Sequence, residues 1–296
     1  MSEFLQQLLN GLSLGAIYAL IALGYTMVYG VLRFINFAHA DVFMVGAFVG
    51  YYAGQLVPVG TFWGGLVVLL VAMVVCALLG IAIERLAYRP LRGAPTLNVL
   101  ITAIGVSLLL EYSGQVFFGA APRTFPAVFP VRYFAVGGVI VSSNQILVIA
   151  VSVALMIVLQ AIVFRTKMGI AMRAVALNPK AAVLMGVNND VVISFTFGLG
   201  SALAGAGGIL YALNYPSIDP LMGVMPGLKA FVAAILGGIG NVPGAALGGL
   251  ILGIVETFVS GSQWSTYKDA IAFAILIIIL LFRPAGLLGK FTVEKV

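Results

Sequence analysis

The sequence predicts an all-α fold, a polytopic bundle of about eight transmembrane helices (seven to nine). Of its 296 residues 62% are hydrophobic and 8% are charged, and the mean hydropathy is +1.17. A soluble core cannot hide so much apolar surface. The apolar residues fall into separate runs of about 20, the length that crosses a bilayer as a helix. The polar gaps are shorter than about 30 residues, too short for an independent core. We therefore expect residues 1–296 to form one integral membrane domain.

The first six spans follow from the apolar runs in chain order. They cover about 12–29, a run ending near 53, 62–83, 97–118, 145–163 and 191–213. Span 1 begins with Gly11 and Gly15, and small residues four apart allow close helix contact in lipid. Residues 119–144 are rich in Pro, Gly and aromatics, which indicates an external loop with a small hairpin at 131–141.

The next segment, 227–260, contains a helix-breaking run from Gly237 to Gly244. It is long for one straight span and short for two, which favours a pair of half-length helices or a broken, re-entrant passage. Unwound backbone is tolerated at membrane depth only where protein or a water-filled cavity receives its polar groups. The last span is about 268–282. The count is nine crossings if the broken segment makes two, and seven if it only dips.

Positive charge is concentrated on one predicted side. That side holds Arg33, Arg85, Arg89, Arg92, Arg165, Lys167, Arg173, Lys180, Arg283, Lys290 and Lys295. The other side holds Arg123 and Arg132, and Lys229 and Lys268 are left unassigned. Positive charge favours the cytoplasm, so we expect an external N-terminus and a cytoplasmic C-terminus. The basic residues form no stripe with interleaved aromatics, which argues against nucleic acid as a partner.

One basic segment, 164–190, stands out as a polar interruption between spans 5 and 6. Asn178 and Pro179 are typical of a helix start, and Gly186 is typical of a helix end. They predict a short helix over 179–185, preceded by another helical turn over 169–177. Two interpretations fit: a docking surface for a cytoplasmic partner, or a solvated loop with local helix.

Motifs for enzymatic chemistry are lacking. The nearest match to a Walker A loop, Gly286 to Phe291, lacks the first Gly at the right spacing and has Phe where Ser or Thr would hold magnesium. There is no HExxH, no GxSxG and no Cys cluster, since Cys76 is the single cysteine and His39 the single histidine. The sequence therefore predicts no enzyme, no metal site and no cofactor in this chain.

Polar residues at membrane depth are candidates for a transport pathway, because an ionised group there costs roughly 2.5–3.5 kcal/mol. The candidates are Asn36, His39, Asp41, Glu111, Gly237, Gly238, Gly240, Asn241 and Glu256. Asn36 and His39, three apart, are expected to share a helix face. Two interpretations of this pair are open: it lines the pathway, or it anchors the start of span 2. Two are likewise open for Glu111 and Glu256: each faces the pathway, or each pairs with a neighbouring helix. The break at Gly237–Gly244 exposes backbone groups to a substrate at mid-membrane, or is a tight turn between two short spans.

Four stretches carry a family resemblance. They are Gly11–Phe48, Glu84–Glu111, the basic segment GIAMRAVALNPKAAVLMGVN and Gly227–Glu256. Together they resemble the Liv-type permeases of bacterial branched-chain amino-acid ABC importers, and the smaller H-type subunit in particular. One departure is Ala40, where the family commonly has Gly after the FAH triplet.

The resemblance implies a permease subunit of the bacterial inner membrane that carries branched-chain amino acids. Its implied partners are a second homologous permease, two ATP-binding subunits that hold ATP and magnesium, a periplasmic substrate-binding protein and the lipid bilayer. It further implies that the 164–190 segment is a cytoplasmic coupling loop that seats in an ATPase cleft. The implied coupling residues are Gly169, Arg173, Ala174, Asn178, Ala182 and Gly186.

Three alternatives stay open on the sequence. Urea and sugar permeases share the coupling-loop pattern, so that loop does not choose the solute. An ion-coupled secondary carrier suits the broken segment but not the basic loop or the scarcity of central acids. A non-transporting scaffold does not need the Gly-rich breaks.

Overall fold

A computed structural model describes residues 2–58, 60–283 and 285–289 of the chain. The α-helices are α1 (Ser2–Leu32), α2 (His39–Leu56), α3 (Phe62–Ile83), α4 (Thr96–Phe118), α5 (Ser143–Arg165), α6 (Lys167–Leu177), α7 (Pro179–Leu184), α8 (Asn189–Asn214), α9 (Val224–Gly237), α10 (Val242–Ser260) and α11 (Lys268–Phe282). The strands are β1 (Arg123–Thr124), β2 (Tyr133–Val136), β3 (Val139–Ser142) and β4 (Ser217–Ile218).

Seven of the helices in the described residues are long and apolar enough to cross a membrane. This confirms the predicted all-α polytopic fold. α2 falls short of that hydropathy because it begins with His39 and Asp41, and α9 has only 14 residues. The strands are confined to two small antiparallel pairs, β1 with β4 and β2 with β3. The second pair is the hairpin predicted at 131–141.

The centre of the bundle is α1, which is buried continuously from Ser13 to Val28. It packs antiparallel to α10, because Gly11 lies against Ile254 and Gly15 lies against Leu250. A Cβ atom at Gly15 would come within 2.8 Å of the Leu250 Cα, so the predicted Gly-x-x-x-Gly contact is confirmed. α8 packs against α1, α2 and α3 and completes the core.

The bundle has two ends, which we name by their contents. The hairpin end carries the start of α1, the β2–β3 hairpin and the end of α10, since Gln6 hydrogen-bonds the backbone of Ile140 and Gly261 lies against Gln7. The basic end carries the end of α1, the helices α6 and α7, and the end of α11. Arg33, Arg85, Arg89, Arg92, Arg165, Lys167, Arg173, Lys180 and Arg283 lie there, whereas Lys290 and Lys295 lie outside the described residues.

The predicted break at Gly237–Gly244 is confirmed as the connection between α9 and α10. Gly238 and Gly240 have φ of 106° and 88°, which favour glycine. Gly240 lies against Gly30 near the end of α1, and the Leu287 amide donates to the Leu236 carbonyl. The connection therefore lies at the basic end, which favours a turn between two short helices over exposed backbone at mid-membrane.

Two expectations about local structure are wrong. The helix of the span predicted at 62–83 does not end at residue 83, because α3 continues as a π-helix (Glu84–Tyr88) and a 3₁₀-helix (Arg89–Leu91). The helix can continue through Glu84 because Arg92 and Ser194 receive its buried carboxylate. Asn36 does not share a helix face with His39, because Asn36 precedes α2 and His39 is its first residue.

Candidate functional site

Two short helices, α6 and α7, are built by their caps. The Thr166 hydroxyl accepts from the Gly169 amide and begins α6. The Asn178 side chain accepts from the amides of Lys180 and Ala181 and begins α7, as predicted. Gly186, with φ of 84°, follows the last turn of α7, where a left-handed residue ends a helix.

The surface of these two helices exposes both large apolar and basic side chains. Leu177, Leu184 and Met185 are exposed, and Leu184 keeps 88% of its surface accessible. The Arg173 guanidinium stacks over the Phe164 ring at 5.3 Å from its centroid, and Lys180 is exposed. Large apolar side chains exposed together outside a membrane-spanning helix are typical of a protein-binding surface. We call the exposed face of Leu177, Leu184, Met185, Arg173 and Lys180 the docking face.

The six implied coupling residues divide into two groups. Arg173, Asn178 and Gly186 are exposed and Ala174 is half-buried, whereas Gly169 and Ala182 are buried. A Cβ atom at Gly169 would lie 2.2 Å from the Val163 carbonyl oxygen, so this glycine lets α6 turn back onto α5. The buried pair therefore shapes the segment, and the exposed residues are available for contact.

Behind the docking face, an ion-pair network joins the π-helix to α8. Glu84 is fully buried and accepts from the Arg92 guanidinium and from the Ser194 hydroxyl, the latter at 2.5 Å. Asp190 accepts from both Arg89 and Arg92. Arg92 and Asp190 also line a cavity of about 1010 Å³ between the end of α1 and the α6–α7 connection. We call it the basic-end cavity.

The polar residues around the start of α2 are not one cluster. The Tyr88 hydroxyl donates to Asn36 at 2.6 Å, which ties this segment to the π-helix. His39 packs against Gly24, where a Cβ atom would lie 2.2 Å from the imidazole, and its Nε2 has no hydrogen-bond partner among the described residues. The Ser107 hydroxyl donates to Asp41 at 2.5 Å, and Glu111 lies close to the same carboxylate.

Glu256 lies at the hairpin end in a buried cluster that spans four helices. Its carboxylate accepts from the Tyr18 hydroxyl of α1 at 2.9 Å and pairs with the Lys229 ammonium of α9 at 2.6 Å. Lys229 also pairs with Asp269 of α11 at 2.6 Å. All four side chains line a cavity of about 770 Å³, which we call the hairpin-end cavity.

Sequence reasoning picked Glu256 but missed its partners. It left Lys229 unassigned and did not consider Tyr18 or Asp269. It also assigned Arg92 to the basic side without pairing it with Glu84. One signal was present: Lys229 is the single charged residue in the apolar run that forms α9, and a charge inside such a run needs a partner. Which acid pairs with it depends on helix packing that the sequence pattern does not give.

Taken together, the seven membrane-length apolar helices of the described residues and the cavity at each end are the architecture of a polytopic membrane protein. The chain matches the family model for the permease component of the branched-chain amino acid transport system over residues 7–280. It therefore belongs to that family.

Relatives agree along almost the whole chain. It is similar to the high-affinity branched-chain amino acid transport permease BraD of Pseudomonas aeruginosa and to LivH of Escherichia coli K12. Each is 42% identical over 99% of this chain and 98% of the relative. LivH of Salmonella typhimurium is 41% identical over the same shares. No solved structure gives a significant match.

Proposed function

We propose that this chain is the membrane-spanning subunit of an importer for branched-chain amino acids, driven by ATP that separate subunits hydrolyse. The docking face, with its exposed apolar and basic side chains, is the observation that carries the coupling part of this proposal, because a permease working alone has no need of it. The relatives named above supply the solute class, since they are transport permeases for branched-chain amino acids.

The partners follow from the same assignment. Two ATP-binding subunits hold ATP and magnesium, and one of them receives the α6–α7 segment (164–190) in a cleft. A second homologous permease packs against the exposed apolar helices, and a periplasmic binding protein delivers the solute at the hairpin end. The basic end and the C-terminus lie in the cytoplasm of a bacterial inner-membrane protein, because positive charge collects there.

Co-purification tests the docking face. Arg173→Glu and Leu184→Asp are each expected to reduce the amount of ATP-binding subunits recovered with a tagged chain by about tenfold or more, since buried interface anchors are worth over about 1.4 kcal/mol each. Arg132→Glu, an exposed charge reversal at the hairpin end, is the matched control and should leave recovery unchanged. Equal recovery with all three variants contradicts the proposal.

Labelling in intact cells tests the orientation. Cys76 is fully buried, so a single introduced cysteine reports its own position. A membrane-impermeant thiol reagent added outside should label Ser260→Cys at the hairpin end and should leave Leu184→Cys unlabelled until the membrane is opened. Labelling of Leu184→Cys from outside would reverse the assignment of the two ends.

An autonomous ion-coupled carrier is the alternative for the same cavities. It predicts gradient-driven uptake by the purified chain alone in vesicles, whereas the importer predicts uptake only after the ATP-binding subunits and ATP are added.

A further inference from the structure

The hairpin-end cavity combines charges of both signs with an apolar wall. Lys229 and Glu256 are buried at its base, and Asp269 keeps 40% of its side chain exposed. Leu14, Leu213 and Met225 line the same space. Its volume of about 770 Å³ falls within the range of about 300–1,000 Å³ that is typical of small-molecule sites.

The base of this cavity has hydrogen-bonding capacity that the protein does not use. The Lys229 ammonium has three N–H donors and donates one hydrogen bond, to Glu256. Asp269 pairs with it at 2.6 Å through Oδ1, but that oxygen has no hydrogen-bond partner among the described residues, so donors of Lys229 and the Asp269 carboxylate are left for a ligand. The Oδ1 of Asn144, another lining residue, is buried and has no hydrogen-bond partner among the described residues.

The charges of the cavity differ in their exposure. Lys229 and Glu256 are buried and pair with each other, whereas Lys268 and Asp269 also line the cavity and are open to solvent or partly so. A ligand ammonium next to Asp269 would therefore meet an accessible carboxylate. A ligand carboxylate on the same molecule would reach a free donor of Lys229. The Glu256 carboxylate is already held by Tyr18 and Lys229, so it positions Lys229 and needs no direct ligand contact.

We propose that the hairpin-end cavity is a binding site for a zwitterionic α-amino acid with an aliphatic side chain. Asp269 receives the α-ammonium group, Lys229 receives the α-carboxylate, and Leu14, Leu213 and Met225 surround the side chain. Because the solute class rests on the proposed function, the test measures binding separately from transport.

Protection of an introduced thiol measures this binding. Ser260 is exposed and lines the cavity, so Ser260→Cys gives one reactive thiol beside the buried Cys76. The full chain is labelled in washed membranes with and without L-leucine. At a leucine concentration of about ten times the dissociation constant, labelling is expected to slow by about tenfold, because occupancy follows mass action.

Two analogues test the recognition of both charges. Leucinamide lacks the carboxylate and 4-methylpentanoate lacks the ammonium, so each should protect at least about tenfold less effectively than leucine, the factor that corresponds to one lost charged contact. Equal protection by all three compounds would show apolar binding alone and would overturn the proposal.

The variant Asp269→Asn tests whether Asp269 contacts the ligand or only stabilises the structure. Because Asp269 is partly exposed, the substitution should leave labelling without ligand unchanged, and it should raise the leucine concentration for half-protection by about tenfold or more. It should also remove the preference for leucine over 4-methylpentanoate. Arg132→Gln, an exposed change at the same end, is the control. An unchanged half-protection concentration in Asp269→Asn would overturn the assigned contact.

Failure of the proposed binding site and failure of the proposed importer function give different results. Absence of protection together with ATP-dependent leucine uptake would remove this site and keep the importer. Protection without ATP-dependent uptake would keep the site and remove the importer.

Discussion

Replacing Arg92 by Met is the sharpest test of the packing at the basic end. Glu84 has 0% of its side chain exposed and depends on Arg92 for charge compensation, whereas Ser194 offers it only a neutral hydrogen bond. Loss of one partner from a buried ion pair costs about 3–5 kcal/mol. Arg92 itself is 22% exposed, so we expect the lower limit, about 3 kcal/mol of lost unfolding free energy.

Arg89→Met is the matched control, because Arg89 binds the same Asp190 that Arg92 contacts. Its pair is open to solvent, with 48% and 42% of the two side chains exposed. Such pairs contribute about 0–1 kcal/mol. The difference between the two variants should therefore be about 2 kcal/mol or more. It is measured by unfolding the purified chain in mixed micelles with increasing amounts of a denaturing detergent.

The double variant Arg92→Met with Glu84→Gln completes the comparison. Because it removes both charges, it leaves no unpaired ion at the Glu84 site, and most of the lost stability should return. The reasoning fails if Arg92→Met destabilises the chain no more than Arg89→Met does. It also fails if the double variant is less stable than Arg92→Met by the full cost of a second independent change.

Three glycine substitutions test helix packing by the same unfolding measurement. Gly249→Ala places a Cβ atom 2.4 Å from the Ala19 nitrogen and should lower the free energy of unfolding by about 1–3 kcal/mol. Gly105→Ala on α4 meets nothing within 4 Å and should raise it by up to about 1 kcal/mol. Similar values for the two variants would refute the close α1–α10 contact. Gly186→Ala forces a side chain into a left-handed conformation and should cost about 1 kcal/mol, and a stabilised Gly186→Ala would show that φ is negative there.

Local signals in the sequence predicted the elements well. α3 begins at the expected residue, and the Asn178 cap and Gly186 both lie where turn chemistry places them. These features depend on residues within one turn of each other. Nothing from a distant part of the chain is needed to recognise them.

Long-range contacts explain what the sequence could not predict. Glu84 and Arg85 look like the start of a polar loop, yet the helix continues because Ser194, 110 residues away, and Arg92 receive the Glu84 carboxylate. Likewise, several acidic residues at different sequence separations could pair with Lys229. Only the packing of α9 between α10 and α11 selects Glu256 and Asp269 as its partners.

One helix connects the two regions that carry the proposals. Asp190, in the first turn of α8, binds Arg89 and Arg92 beside α6 and α7. Asn214, the last residue of α8, lines the hairpin-end cavity and donates to Ser13 at 2.8 Å. The 26 residues of α8 span about 39 Å at 1.5 Å per residue. A helix of this length packed on three neighbours moves as a stiff unit, so a tilt imposed at its first turn displaces its last turn as well. We therefore expect a shift of α7 by a bound partner to change the shape of the distant cavity through α8.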